Sequence, residues 1–256
     1  MVKLKRMLMP KLARRGIAKS KGKPERISTG VSGLDALIDD GFVEGSSNLI
    51  VGNAGSGKTI FAIQFIVEGI RRGEPGIYVT FEERKDKMYE NMKSFGWDLE
   101  KYENEGKFVF LEYTPEQVKK ILVEGGGQIE SIIEKIDAKR IVIDSITSFA
   151  LLYEDELTRK EAALALFDLI NRWGCTALMT SQQERDGITQ SNEVSSVLEF
   201  EVDSIIILYH EKSDGTRKRA LEVLKMRGTK TPEKTYHLAI DKNGLSVSVK
   251  ELVHFR

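Results

Sequence analysis

The stretch 46-SSNLIVGNAGSGKTIF-61 decides how the chain is read. Leu49, Ile50 and Val51 make a short apolar run that predicts a buried strand. Beyond Lys58, "KTIFAIQFIVEGIRRG" repeats apolar residues at helical spacing. Between strand and helix, Gly52 to Thr59 follows the P-loop pattern of Gly, four residues, Gly, Lys and Ser/Thr. Its glycines permit a backbone whose N–H groups converge on phosphate, and the helix that follows turns its positive end to the anion. The nucleotide-binding candidates are therefore Gly52, Asn53, Ala54, Gly55, Ser56, Gly57, Lys58, Thr59 and Ile60. Lys58 would neutralise the β- and γ-phosphates of ATP or ADP, and the Thr59 hydroxyl would hold Mg²⁺.

Outward from this centre, short apolar strands alternate with helices. "PGIYVTF", "KFVFLEY", "RIVIDS" and "CTALMTS" read as strands; "PEQVKKILVEGG", "GQIESIIEKID", "LTRKEAALALFDLINRWG" and a segment ending near "SFGWDL" read as helices. That alternation predicts a mostly parallel sheet covered by helices on both faces. "DSIIILYH", "RKRALEVLKMR", "TYHLAI" and "LSVSV", with turns at "SDGT" and "KNG", predict antiparallel strands at the C-terminal end.

Acidic residues end two of the strands. Asp144 closes "RIVID", where an acid beside a P-loop orders magnesium and its water shell. Glu82 and Glu83 close "VTFEE"; a carboxylate there can hold and polarise a water in line with a γ-phosphate. Glu82 takes the base role and Glu83 a supporting one. The pair would equally suit the dipole of the helix that follows.

Composition bounds the reading. The 256 residues are 41% apolar and 30% charged with five prolines, enough to bury a sizeable core. No apolar run reaches the ~20 residues that cross a bilayer. Cys175 is the sole cysteine and lies in an apolar run, which excludes a disulfide scaffold and predicts a buried thiol in a reducing, cytoplasmic setting. His210, His237 and His254 lack metal-ligand spacing. Formal net charge is zero, but residues 1–26 carry ten Lys/Arg and one acid. This basic leader reads either as a solvated, disordered arm lying on an acidic body or as a nucleic-acid contact. No aromatic interrupts it to offer a stacking surface. Residues 27–256 would then form one α/β domain.

The stretch "ALEVLKMRGTKT", 220–231, raises a separate question. Leu221, Val223 and Leu224 supply its apolar side, while Lys225 and Arg227, two residues apart, share the other face of a strand. Two cations aimed at one place imply an anion.

Over residues 27–250 the chain resembles the KaiC-type branch of the RecA-like P-loop ATPases. The resemblance rests on "TGVSGLD", "GNAGSGKT", "VTFEE" with "SFGWDL", "IDSITS", "LEFEVDSIIIL" and "LKMRGTKT". It implies a RecA-like fold, Mg-ATP hydrolysis and nucleotide bound between neighbouring subunits of a hexameric ring. Lys225, Met226 and Arg227 would then meet the γ-phosphate of an adjacent copy, with the cations acting as arginine fingers do. The resemblance also puts Ser94 and the segment from Thr229 to Asp241 near base or ribose. The clock protein of this family has two such domains, and the adjacent Ser and Thr that its second domain phosphorylates align here with Glu199 and Phe200. Self-phosphorylation at that site is therefore not expected; Ser195 and Ser196 lie nearby.

Two other readings compete. A RecA/RadA-like strand-exchange ATPase would bind DNA through the loops "FALLYEDELTRKE" and "QQERDGITQSNEVSS", but the first is net acidic and the second has no aromatic. An ATP-binding assembly switch with little hydrolysis would not need the Glu82–Glu83 pair.

Overall fold

The computed structural model describes residues 24–150, 152–182, 199–213 and 215–254. Most of the basic leader, with Ser195 and Ser196, lies outside the described residues. A lead-in of two short strands, β1 (Arg26–Ile27) and β2 (Phe42–Val43), precedes β3 (Ser47–Gly52) and α1 (Lys58–Arg71). Then come β4 (Gly76–Thr80), α2 (Lys85–Lys93), α3 (Leu99–Asn104), β5 (Phe108–Glu112), α4 (Pro115–Glu124), α5 (Gly127–Ile136), β6 (Arg140–Asp144), α6 (Ile146–Ala150), α7 (Glu156–Trp173) and β7 (Thr176–Gln182). Four strands close the chain: β8 (Ser204–Ser213), β9 (Thr216–Met226), β10 (Thr235–Asp241) and β11 (Gly244–Leu252).

Nine strands pair in the order β11-β10-β9-β8-β3-β7-β6-β4-β5. From β8 to β5 the pairs are parallel; β8 with β9, β9 with β10 and β10 with β11 are antiparallel. This is the mostly parallel, helix-flanked α/β sheet that the alternation of elements predicted. Period-2 alternation divides the core in two. Ile50, Tyr78, Val142 and Leu178 pack on the α1 side, whereas Leu49, Val51, Ile77, Val79, Ile143 and Met179 pack among residues of α4 to α7.

The motif "TGVSGLD" fastens the lead-in. Asp35 accepts from the Thr29 N–H (2.9 Å), the Thr29 hydroxyl (2.6 Å) and the Ser28 hydroxyl (2.6 Å). Buried Gln64 of α1 donates to Gly30 O and Leu245 O and accepts from the Leu245 N–H. One side chain thus joins lead-in, helix and edge strand. No helix among the described residues is long and apolar enough to cross a membrane.

One expectation is corrected. Leu224 does not join the apolar side of β9. Val223 pairs with Ile206 and Lys225 with Ile205, so Leu224 is the extra residue of a β-bulge and stands 52% exposed.

Candidate functional site

At the C-terminal end of the parallel strands, β3 reaches Gly52 between Gln182 of β7 and Leu208 of β8. A Cβ on Gly52 would lie 2.5 Å from Leu208 O and 2.6 Å from the Ser56 hydroxyl, so only glycine lets the chain pass. Gly57, at φ 107°, caps α1 in a conformation that disfavours any side chain. Lys58 opens the helix and donates to Gly52 O (2.8 Å) and Asn53 O (3.1 Å). Burial lowers its pKa, while Asp144 and Glu82 favour its charged form. Asn53 donates to His210 O and to Glu211 on β8. Ala54 is exposed and Ser56 buried. An open cleft of ≈ 500 Å³ runs along this loop, lined by Gly55, Gly57, Lys58, Thr59, Ile60, Arg219 and Ile240.

Asp144 stands at the end of β6, beside Thr80 of β4, and three hydroxyls, two from the sheet and one from α1, meet its carboxylate. Thr59 donates to Oδ2 at 3.2 Å, buried Tyr78 donates to the same oxygen, and Thr180 of β7 donates to Oδ1. The Thr80 hydroxyl accepts from the N–H groups of Glu82 (3.3 Å) and Glu83 (3.0 Å), pinning the acidic pair at the strand end. Ser148 of α6 donates to Glu82 Oε1, and its hydroxyl lies 2.8 Å from that of Ser145. The Thr59 hydroxyl and the Asp144 carboxylate, bonded to each other, offer hard oxygen donors of the kind that suits magnesium with its waters.

The remaining candidates divide by height on the sheet. Asp241 follows Ile240 of the cleft and accepts from the Asn243 N–H at 2.7 Å. Ser94 closes α2; the bend after it stacks Phe95 on Trp97, and Trp97 lies against Gly244, leaving no room for a Cβ there. Ser94 and Asp241 therefore occupy adjoining turns near the cleft. Lys225, Met226, Arg227 and Thr229 do not. β9 runs antiparallel from His210's partner Arg219, whose Nε donates to Gly55 O (3.3 Å), down to Met226 opposite Ser204. The bulge leaves five ladder steps, from His210 to Ile205 on β8, which at ~3.3 Å each put Lys225 about 17 Å from Arg219. At that opposite edge Lys225 donates to Glu199 O (2.8 Å) and Val202 O (2.8 Å), and Arg227 to Phe200 O (2.6 Å) and Glu201 O (3.1 Å). Met226 packs its side chain in the core, leaving only backbone for a ligand. The Thr229 hydroxyl accepts from Arg26 at 2.7 Å.

The family model described as "ATPase: KaiC" matches residues 27–251. The chain belongs to the KaiC family of ATPases. It is 38% identical over 214 residues to the circadian clock protein KaiC3 of Synechocystis, covering 80% of this chain and 42% of that protein. With a UPF0273 protein of Thermotoga maritima it shares 34% identity over 242 residues, covering 89% of this chain and 97% of that one. The crystal structure of a KaiC-like protein from Pyrococcus horikoshii superposes with a TM-score of 0.78 at 37% identity, covering 88% of this chain and 99% of that one. The chain thus spans less than half of the clock proteins of Synechocystis and Synechococcus elongatus, and nearly all of the Thermotoga protein. The sheet is the RecA-like α/β fold expected of the KaiC family.

Four residues beside the KaiC-type motifs were not singled out by sequence reasoning. Tyr78, Thr180 and Ser148 bond the two strand-end acids, and Arg219 lines the cleft. Only the alternation of Tyr78 and Thr80 on one face of β4 hinted at the first. The others depend on pairings between distant strands.

Proposed function

We propose that the chain binds Mg-ATP and hydrolyses it within an assembly of identical subunits, a hexameric ring by resemblance, whose nucleotide sites are completed by the neighbouring copy. The observation that carries this reading is the length of β9. Its cations stand about 17 Å along the strand from the residue that touches the phosphate loop of their own chain, too far for even an extended lysine or arginine. A phosphate that meets Lys225 and Arg227 must belong to another subunit. Phe200 at 78% and Leu224 at 52% exposure lie beside these cations and give the contact an apolar part.

In this reading the amides of Gly52 to Thr59 and the Lys58 ammonium bind the phosphates, and Thr59 and Asp144 hold magnesium. The ion supplies charge neutralisation on the phosphoryl oxygens. Glu82, steadied by Ser148, accepts the proton of the attacking water, with Glu83 in support. Lys225 and Arg227 of the next copy stabilise charge that develops on the transferred group, a contribution worth ~10³–10⁵ in rate in related chemistry. Ser94, Asp241 and Arg219 frame base and ribose; Thr229, two residues beyond Arg227, joins the nucleotide contacts offered to the next copy. Glu199 and Phe200 carry no hydroxyl to accept a phosphoryl group, which favours hydrolysis by water over self-phosphorylation of that position. The reading places the protein in the cytoplasm, where a lone thiol stays reduced.

Subunit mixing tests it. Lys58→Ala and the double variant Lys225→Ala/Arg227→Ala should each be inactive alone. Mixed and reassembled, they should recover turnover, because some interfaces pair an intact phosphate loop with intact cations. Failure of the mixture to exceed either component would overturn action in trans.

A further inference from the structure

We propose that Tyr78 and Thr180 are positioning residues for Asp144: their hydroxyls hold its carboxylate in one orientation and leave it a single open acceptor position, on Oδ1, for a magnesium ion or its water. The inference rests on reading Thr59 and Asp144 as the magnesium site.

The sheet register builds the arrangement. Asp144 lies across from Thr80 on β4, and its neighbour Ile143 lies across from Met179 on β7, which brings Thr180 level with Asp144. Tyr78 is two residues before Thr80 and so shares its face, the face that α1 and Thr59 cover. From beneath, the phenol reaches Oδ2 of Asp144, while Thr180 takes Oδ1 from the adjoining strand. Tyr78 is fully buried, with its ring stacked on Phe110 at 5.5 Å and 6° between planes. A phenol so enclosed needs an acceptor, and the Asp144 carboxylate accepts from it.

Counting acceptor positions gives the consequence. A carboxylate offers about four. Tyr78 and Thr59 occupy both positions on Oδ2, and Thr180 occupies one on Oδ1. What remains is one position on Oδ1. The carboxylate can neither rotate nor chelate an ion with both oxygens without breaking a hydroxyl bond.

The test measures Mn²⁺ binding by electron paramagnetic resonance with saturating ADP, using full-length protein, alongside ADP binding in EDTA. Tyr78→Phe and Thr180→Val should each weaken Mn²⁺ binding about 10-fold or more, the size typical of lost outer partners of metal ligands. Thr180→Ser, which keeps the hydroxyl, should bind Mn²⁺ as the wild type does. ADP binding in EDTA should be the same for all. If Tyr78→Phe does not fold, the Thr180 pair decides. Wild-type Mn²⁺ affinity in Tyr78→Phe and Thr180→Val, with binding lost in Asp144→Asn, would overturn the inference and leave the metal site standing. Unchanged Mn²⁺ binding in Asp144→Asn would remove the metal site and the inference with it. An equal loss of ADP binding in EDTA would make the two hydroxyls structural and also overturn it.

Discussion

Glu82 and Glu83 are adjacent in sequence but face different surroundings. Glu82 accepts from Ser148 and contributes to the field that keeps Lys58 charged; Glu83 is held at the strand end by its N–H bond to Thr80. Glu82→Gln should keep ATP binding and lose turnover by about 10²–10⁴, measured as phosphate release at saturating ATP. Glu83→Gln should fall far less, and equal losses would sink the division of roles. Cys175 gives a second prediction at this scale. It is buried, donates to Ala138 O at 3.3 Å, and burial pushes its thiol up to about 11 from 9.0. A raised thiol pKa contributes stability that is complete below 9.0 and lost as pH rises through about 11. At pH 8 iodoacetamide should label the native protein very slowly and the urea-unfolded chain quickly. Fast native labelling would contradict the burial. Both strand-end acids and the buried thiol were legible from local sequence, because a strand end or an apolar run declares itself within a few residues.

Helix α1 carries a glycine, Gly69, in its last full turn, where alanine would ordinarily gain about 1 kcal/mol of helix stability. Here the gain is absent for a visible reason. A Cβ on Gly69 would lie 2.4 Å from Cδ and Nε of Arg140, a side chain that is wholly buried. Arg140 enters β6 with its guanidinium against the Phe65 ring, donating to Ser28 O, Phe65 O and Glu74. Gly69→Ala should therefore destabilise, at the about 1–3 kcal/mol typical of overpacking, and Glu74→Ala should cost roughly 3 kcal/mol by leaving a buried cation unpaired. Urea unfolding measures both; a stabilised Gly69→Ala would show that Arg140 can move aside. None of this was legible beforehand. Arg140 opens "RIVID" like any charged strand boundary, and only the meeting of α1, the lead-in and β6 makes it a core residue. The bulge at Leu224 escaped for a related reason. Alternation from Leu221 through Val223 reads cleanly, but an inserted residue is a property of two paired strands and shows in neither alone.

For the whole molecule the sharpest prediction is native mass by light scattering. With Mg-ATP the chain should form a discrete particle near six subunits, and Lys225→Ala/Arg227→Ala should weaken that particle while leaving the fold intact. A monomer with and without nucleotide would return both cations to the role of local braces on the carbonyls of residues 199–202. At this scale the α/β order of layers followed from the alternation of elements. The distance between the two ends of β9 did not, since it needs the strand's direction and its register on β8. That distance has a further consequence. One strand touches the chain's own phosphate loop through Arg219 and ends at the two cations that the proposed assembly would offer next door. In an assembly closed in this way every link points in the same sense. Each site would answer to one neighbour and report to the other, so the order in which sites fire would acquire a direction that no single subunit possesses.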